Sequence, residues 1–181
     1  KSYFKTQNIT NVSSDELLKA ACCNISESFE TNPSIDVNYS NAITGVKQVK
    51  MLGLESPYLL ITEENIPMIR GASQVYGLSF IPGTWVESMQ ITKGSGSVVN
   101  GFESISGQIN VELKKPYSDT PFFINVYSNT MGRNEINLHA NKIINDKLST
   151  GFYLHGNKNS NINDKNNDGF LDNPKSEAFN F

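Results

Sequence analysis

One stretch near the end of the sequence has the residue types and the spacing of a cation-binding loop. Oxygen-bearing side chains alternate along residues 164–172, and Gly169 stands where a sharp turn is needed. Hard cations such as Ca²⁺ prefer carboxylate, amide and backbone carbonyl oxygens as ligands. The predicted ligands are the side chains or, for phenylalanine, the backbone carbonyl of Asp164, Asn166, Asp168, Phe170 and Asp172.

The loop departs from an EF-hand in two respects. Its twelfth position is Lys175, where a bidentate glutamate is usual, and no helical pattern flanks it. An Asn- and Asp-rich turn that binds nothing has the same composition. Ca²⁺ binding is therefore the hypothesis for this loop, and the empty turn is its alternative.

The cysteines and histidines offer little further chemistry. Cys22 and Cys23 are adjacent, and a Cα separation of about 3.8 Å would strain a disulfide between them. They are interpreted as small apolar residues of a helix, with a metal or redox pair as the alternative. His139 and His155 fall on the polar faces of neighbouring predicted strands, as ordinary polar side chains or as a metal pair. No Ser/His/Asp set, phosphate loop or carboxylate pair is recognised, so no enzyme is predicted.

Composition excludes further classes of function. The net charge of −3 and the scattered Lys and Arg residues give no basis for a nucleic-acid partner. No apolar stretch approaches the roughly 18 residues of a membrane helix, so membrane association would have to use β-strands. The residues from Lys1 to Phe4 are not a signal peptide, and for an exported protein we expect that segment outside this chain.

The elements before residue 116 predict a small mixed α/β unit. Ser13 and Glu16 have the S-x-x-E spacing of a capping box, which predicts a helix over about 14–22. A further helical turn or two is expected to end before Pro33. Alternation or buried character predicts strands near 35–37, 46–51, 58–62, 86–93 and 107–113, with a turn at 65–67.

After Pro116 the pattern is purely β. Apolar and polar residues alternate over 122–127, 135–141 and 151–155, and the segment from Asn145 to Lys147 predicts a tight turn. One apolar and one polar face are typical of membrane barrel strands, and equally of a soluble antiparallel sheet with one wet face. Since bacterial barrels need about eight strands or more, the barrel interpretation makes the chain a fragment.

Several segments, taken in order, resemble one known family. Residues 86–94 (VESMQITKG), then Asn100-Gly101, then residues 105–111 (ISGQINV) resemble the end of the plug domain of TonB-dependent outer-membrane receptors. Residues 61–67 resemble the family's strand and proline turn, with Glu64-Asn65 where Asp-Gly is usual. The opening helical region from residue 15 also fits, so that the resemblance covers about residues 10–115.

The resemblance implies a fold class and a function. The fold would be an α+β plug domain over 1–116, followed over 117–181 by antiparallel β-strands of a transmembrane β-barrel and an extracellular loop, with the barrel incomplete. The function would be uptake of a scarce nutrient, a siderophore, metal complex, vitamin, glycan or peptide, by energy-coupled displacement of the plug. The implied partners are the TonB energy-transducing complex, whose coupling segment is not recognisable in this chain, the nutrient ligand, and the outer membrane of a Gram-negative bacterium.

The resemblance also suggests residue roles. Arg70 and Lys93 would make plug-to-barrel contacts, with solvated surface charges as the alternative. Residues 157–175 would form an extracellular loop, where calcium is plentiful. Two other functions remain open: a non-transporting, receptor-like subunit of an envelope complex, and a secreted, calcium-stabilised β-rich domain.

Overall fold

The computed structural model describes residues 8–14, 16–17, 25, 29, 35–39, 47–96, 98–169, 171–172 and 175–181. The chain divides into two compact units, and the second continues from Lys114 to Phe181 after the first ends at Leu113. The division after residue 116 that the sequence suggested stays a prediction about domains. Within the described part of the chain, no helix has the length and apolar character needed to cross a membrane.

The first unit is built on a five-stranded sheet and a separate hairpin. Its strands in chain order are β1 (Asn8–Ser13), β2 (Ile35–Tyr39), β3 (Lys47–Met51), β4 (Leu59–Glu63), β5 (Ile66–Pro67), β6 (Val86–Lys93) and β7 (Gly107–Leu113). The sheet has the order β1-β6-β7-β4-β5, and β2 pairs with β3. Among the strand pairs of the described residues, β4 and β7 run parallel and the other pairs are antiparallel.

The hydrophobic core of this unit lies against β6 and β7. A bulge between Val86 and Ser88 shifts the alternation of β6, so that Val86, Met89 and Ile91 are all buried. Ile109 from β7 joins them, and so do buried side chains from the helical residues and the neighbouring strands. The strands predicted over 86–93 and 107–113 are confirmed.

The predicted capping box is confirmed at its described residues. The backbone N–H of Ser13 donates a hydrogen bond to Glu16 Oε2 at 3.2 Å, and Ser14, Glu16 and Leu17 are helical. Most of the predicted helix over 14–22 lies outside the described residues, as do Cys22 and Cys23.

The turn predicted at 65–67 is wrong in its position. Glu64 and Asn65 have φ of 51° and 62°, and Ile66–Pro67 turns back to pair with β4 as a short strand. Two successive left-handed residues form the tight hairpin turn whose twist suits antiparallel strands. The hairpin therefore closes one residue earlier than proline alone suggested.

The second unit is a four-stranded antiparallel sheet, called here the second sheet. Its strands are β8 (Phe122–Ser128), β9 (Arg133–Asn145), β10 (Leu148–Asn159) and β11 (Ser176–Asn180), in the order β11-β10-β9-β8. The three predicted strands and the turn at Asp146-Lys147 are confirmed.

The predicted loop over 157–175 is too long at its start. Asn157, Lys158 and Asn159 continue the pairing of β10 with β9, and the connection to β11 begins at residue 160. These residues are polar on both faces, so that alternation could not reveal them. β11 was not predicted either, because its five residues are too few to show a clear alternation.

Candidate functional site: a sheet with its polar face buried

The second sheet exposes its apolar side chains. Cross-strand register aligns them in three rows, which together form the apolar face, and Phe122, Ile124 and Val126 are 63%, 55% and 70% exposed. The rows are Phe122–Ala140–Phe152, Ile124–Leu138–Leu154 and Val126–Ile136–Gly156–Phe179. Water would not favour this arrangement in a soluble sheet, which packs its apolar face into a core.

The apolar rows form a band with polar limits. On the side of the loop over 160–175 the next row is Ser128–Asn134–Lys158–Glu177. On the side of the Asp146-Lys147 turn the next pair is Lys142–Thr150. An exposed apolar band between polar rows is what membrane barrel strands present to lipid.

The opposite, polar face is buried and hydrogen-bonded. His155 Nδ1–H donates to Asn137 Oδ1 at 2.7 Å, and Asn137 Nδ2–H donates to Glu135 Oε1 at 2.8 Å. Asn157 Nδ2–H donates to His155 Nε2 at 3.2 Å, which requires the imidazole tautomer with its proton on Nδ1. Glu135, Asn137 and His155 are each at most 3% exposed. Buried polar groups are stabilised by such pairing, because an unpaired one loses its water without replacement.

A second buried network centres on Asp119. Its Oδ2 accepts hydrogen bonds from Asn141 Nδ2 at 2.9 Å and Tyr153 OH at 3.2 Å, and lies 3.2 Å from His139 Nδ1. Lys114 Nζ lies 3.6 Å from Oδ1. Burial raises the pKa of Asp119, but the charge of Lys114 and the hydrogen bonds outweigh it, so that the pKa lies below its usual value. The segment before β8 is thereby tied to β9 and β10.

The two histidines belong to different networks. The His139 ring lies between Phe123 and Tyr153, with centroid distances of 4.9 and 4.5 Å, while His155 is held by Asn137. Both lie on the polar face, as predicted. Among the described residues, no group of three or more His, Cys, Asp or Glu side chains is arranged to hold a metal ion.

The predicted cation loop is closed by its own carboxylates. Asp164 accepts the backbone N–H groups of Asp168 and Gly169 at 3.1 and 2.9 Å. Asp172 Oδ2 accepts the backbone N–H of Lys165 at 3.0 Å. These are Asx-type turn contacts, in which carboxylate oxygens satisfy backbone donors.

The remaining predicted ligands include Asn166 and Phe170. Asn166 Nδ2–H donates to Asp168 Oδ2 at 2.8 Å, and Phe170 lies outside the described residues. Within the described part of the loop, the carboxylates do not form a group of three or more that could hold a metal ion. Ca²⁺ binding stays a prediction.

Arg70 makes its described contacts within the first unit. Its Nε lies 3.1 Å from Glu103 Oε1, and its Nη2–H donates to the carbonyl of Asn100 at 3.5 Å. Lys93 ends β6, where it is paired with Gly107 on one side and Asn8 on the other. The plug-to-barrel roles of Arg70 and Lys93 stay predictions.

Arg70 also holds an exposed apolar loop that the sequence-based reasoning missed. The connection from β6 to β7 presents Val98, Val99 and Phe102 at 85%, 92% and 80% exposure. Glycine and serine around them indicated a turn, and the turn signal hid the apolar residues. Exposed apolar groups gathered on one loop are a common mark of a binding surface.

Comparison with protein families gives one match. The family model described as the TonB-dependent receptor plug domain matches residues 3–108, which is more than half of the chain. No curated protein sequence matches. The family is one of TonB-dependent receptors and transporters, which are not enzymes.

Comparison with solved structures gives the same fold. The chain is similar to the siderophore receptor PiuA from Acinetobacter baumannii, with a TM-score of 0.67 and 18% identity over 88% of this chain and 22% of that one. FpvA from P. aeruginosa, solved in complex with a heterologous pyoverdine and iron, gives a TM-score of 0.72 and 17% identity over 86% of this chain and 21% of that one. The ferric-catecholate import receptor Fiu from E. coli K12 gives 0.67 and 18% over 86% and 22%. The chain spans about a fifth of the length of these structures.

Proposed function

Since the chain belongs to the TonB-dependent receptor plug domain family, we propose that it supplies the plug and the first wall strands of an outer-membrane receptor for a scarce nutrient. In this proposal the first unit closes the lumen of a β-barrel, and the second sheet is part of the wall. The nutrient binds outside, and the TonB complex drives displacement of the plug.

The observation that carries the proposal is the inverted burial of the second sheet. Its apolar band is exposed and its polar face is buried, with Glu135, Asn137, His139 and His155 at most 3% exposed. A wall between lipid and a polar lumen needs this arrangement. A secreted soluble domain would not favour this arrangement, because its exposed apolar band would be in contact with water.

Ferric siderophores are the substrate class to test first. PiuA is described as a siderophore receptor and Fiu as a ferric-catecholate import receptor, and FpvA was solved in complex with a pyoverdine and iron. We assign the exposed residues Val98, Val99 and Phe102 as the surface of the plug that meets the nutrient.

The first experiment uses the full-length protein expressed in a Gram-negative host. We expect recovery in the outer membrane and a heat-dependent shift in gel mobility, because a closed barrel resists detergent unfolding until it is boiled. Soluble recovery without a shift would contradict the proposal and favour the secreted domain.

The second experiment measures transport. Cells with the full-length receptor should take up radiolabelled ferric siderophore in a strain with TonB and not in one without it. A heat-modifiable outer-membrane protein that supports no TonB-dependent uptake of siderophores, vitamins or glycans would instead indicate the structural subunit.

The third experiment tests the plug loop. Phe102→Ser should weaken nutrient binding, whereas Tyr117→Ser, at an exposed aromatic residue outside this loop, should not. Equal affinity of the two variants would remove the loop from the proposed binding surface.

A further inference from the structure

Asn100-Gly101 is the single Asn-Gly pair in the sequence. It lies in the connection from β6 to β7, where Val98, Val99 and Asn100 form a turn. Asparagine is one of the thermolabile residues of proteins. A following glycine favours its cyclisation, because glycine has no side chain to keep its backbone nitrogen away from the side-chain amide.

The Arg70 guanidinium lies at the carbonyl of this peptide bond. Its Nη2–H donates to the Asn100 backbone oxygen at 3.5 Å, while its Nε lies 3.1 Å from Glu103 Oε1. The two contacts use different N–H groups, so the ion pair leaves the contact with the carbonyl in place. When a peptide nitrogen loses its proton, the carbonyl oxygen shares the negative charge. A cationic donor at that oxygen therefore makes the Gly101 N–H easier to deprotonate.

Glu103 places a second oxygen beside Gly101. A Cβ on Gly101 would lie 2.5 Å from Glu103 Oε2, and the φ of 153° at Gly101 is one that other residues rarely adopt. Oε2 is buried and makes no hydrogen bond to any described residue. A buried carboxylate oxygen without a donor is costly, so that Oε2 is suited to accept the Gly101 proton.

We propose that Asn100 converts itself to aspartate and isoaspartate through a succinimide, and that Arg70 and Glu103 promote the reaction. The Gly101 nitrogen gives its proton to Glu103 and bonds to Asn100 Cγ. The Cγ–Nδ2 bond breaks, and Nδ2 leaves as ammonia with the proton that Glu103 returns. One water molecule then opens the succinimide at either of its carbonyls, which gives the two products.

The conversion changes how the loop is held. Asn100 Nδ2–H donates to Gln108 Oε1 at 3.3 Å, and this donor is lost with the ammonia. The new carboxylate adds a negative charge to the residue that contacts Arg70, where it competes with Glu103. In isoaspartate the main chain is also longer by one methylene group. The modified plug therefore carries a loop of altered charge and altered backbone.

The test incubates the purified full-length receptor in mildly alkaline buffer and follows the tryptic peptide from Gly94 to Lys114 by mass spectrometry. We expect Asn100 to gain the mass that separates an amide NH₂ from a hydroxyl group, with isoaspartate identified by electron-transfer fragmentation. Asn110 in the same peptide is the internal control, because Val111 follows it and the branched side chain crowds the attacking nitrogen. An unchanged Asn100, or aspartate formed without isoaspartate, would overturn the proposal.

Variants separate an assisted reaction from the ageing of any exposed loop. Glu103→Gln and Arg70→Gln should each slow the conversion by about tenfold, which is less than the roughly 10²–10⁴-fold of acid–base groups in enzymes because this loop is open to water. Glu87→Gln, at an exposed carboxylate of β6 outside the loop, is the matched control and should leave the rate unchanged.

The pH profile distinguishes a base from a residue that only shapes the loop. With hydroxide as the base, as in Glu103→Gln, the rate should rise about tenfold per pH unit. In the parent it should rise less steeply near neutral pH, because Glu103 takes the proton. Equal rates and parallel profiles in the two proteins would overturn the assisted reaction. The mass readout requires neither transport nor a nutrient, so its failure is distinct from failure of the receptor proposal.

Discussion

The sheets of the two units use the same alternation of residues in opposite ways. In the first unit β6 and β7 bury Ile91 and Ile109 in an apolar core. In the second sheet Ile124 and Val126 are exposed, while His139 and Glu135 are buried. Alternation thus determines that a strand has two faces, and the medium on each side determines which face is buried.

The difference lies in what holds each unit together. The first depends on apolar packing around β6 and β7, with polar side chains such as Asn110 paired on the other side of the sheet. The second has its hydrogen-bonded networks where a soluble domain has its core. Substitutions at matched positions should therefore have opposite consequences in the two units.

The largest effect is expected from the buried polar face. Asp119→Ala would leave Lys114, whose side chain is 12% exposed, without its carboxylate and would remove the acceptor shared by Asn141 and Tyr153. Breaking such a buried pair costs about 3–5 kcal/mol. Urea unfolding of the full-length receptor measures this loss. A change below about 0.5 kcal/mol, the size of an ordinary surface substitution, would contradict a polar core.

The same carboxylate predicts a pH dependence. Because the folded-state pKa of Asp119 is lowered, its contribution to stability is complete above its ordinary pKa of about 3.9 and is lost as the pH falls through the lowered value. The parent should lose more stability than Asp119→Asn between pH 5 and pH 2, both values being rough limits of that transition. Parallel curves for the two proteins would be evidence against the lowered pKa.

The next effect concerns the apolar band. Ile124→Arg places a charge in the central row, where a barrel strand in a bilayer loses about 2–4 kcal/mol. Ser128→Arg, in the polar row, should cost about 0–1 kcal/mol. Folding yields into lipid vesicles give the comparison. If both variants fold equally well, the band does not face lipid.

A smaller difference between the two sheets is expected when a glycine in each is replaced by alanine. A Cβ on Gly107 would meet Met51 and lie 2.5 Å from the backbone oxygen of Thr92, so Gly107→Ala should destabilise the plug by about 1–3 kcal/mol. Gly156→Ala in the second sheet meets only ordinary contacts and should be tolerated. Hydrogen exchange of the plug amides in the full-length receptor reports the first loss, and unchanged protection would show that β7 can shift to admit the methyl group.

The smallest effect is that of calcium. At millimolar Ca²⁺ a loop with the affinity of extracellular modules would stabilise the receptor by about 1 kcal/mol. The melting temperature with and without Ca²⁺ measures it, and Asp164→Ala should abolish the shift. Lys175→Ala, outside the predicted ligand set, is the control. Equal melting temperatures in Ca²⁺ and in a chelator would contradict Ca²⁺ binding and favour a turn held by its Asx contacts alone.

The sequence was informative where alternation was strong. It located β6, β7 and the first three strands of the second sheet, and the S-x-x-E spacing located the start of the helix at Ser14. It missed β1 and β11, since both are short strands with few apolar residues, and they gain order from pairing with β6 and β10.

The candidate site was harder to predict for a different reason. Asp119 lies in the turn before β8. Its partners Asn141 and Tyr153 become neighbours only when β9 and β10 pair. The alternating strands gave equal support to a soluble sheet and a membrane wall, because alternation does not show which face of a strand is buried. In the folded chain the polar face is buried and the apolar face is exposed.

The two-residue turn at Asp146-Lys147 has a consequence for how the chain acquires its structure. It joins β9 and β10, which pair from Leu148 with Asn145 out to Asn159 with Arg133. Partners so near in sequence need little loop closure, and hairpins of this kind form in about 1–10 μs. The pairing of Asn8 with Lys93 must wait for most of the first unit to be brought together. From sequence separation alone, we therefore expect the long hairpin to form before the five-stranded sheet is complete.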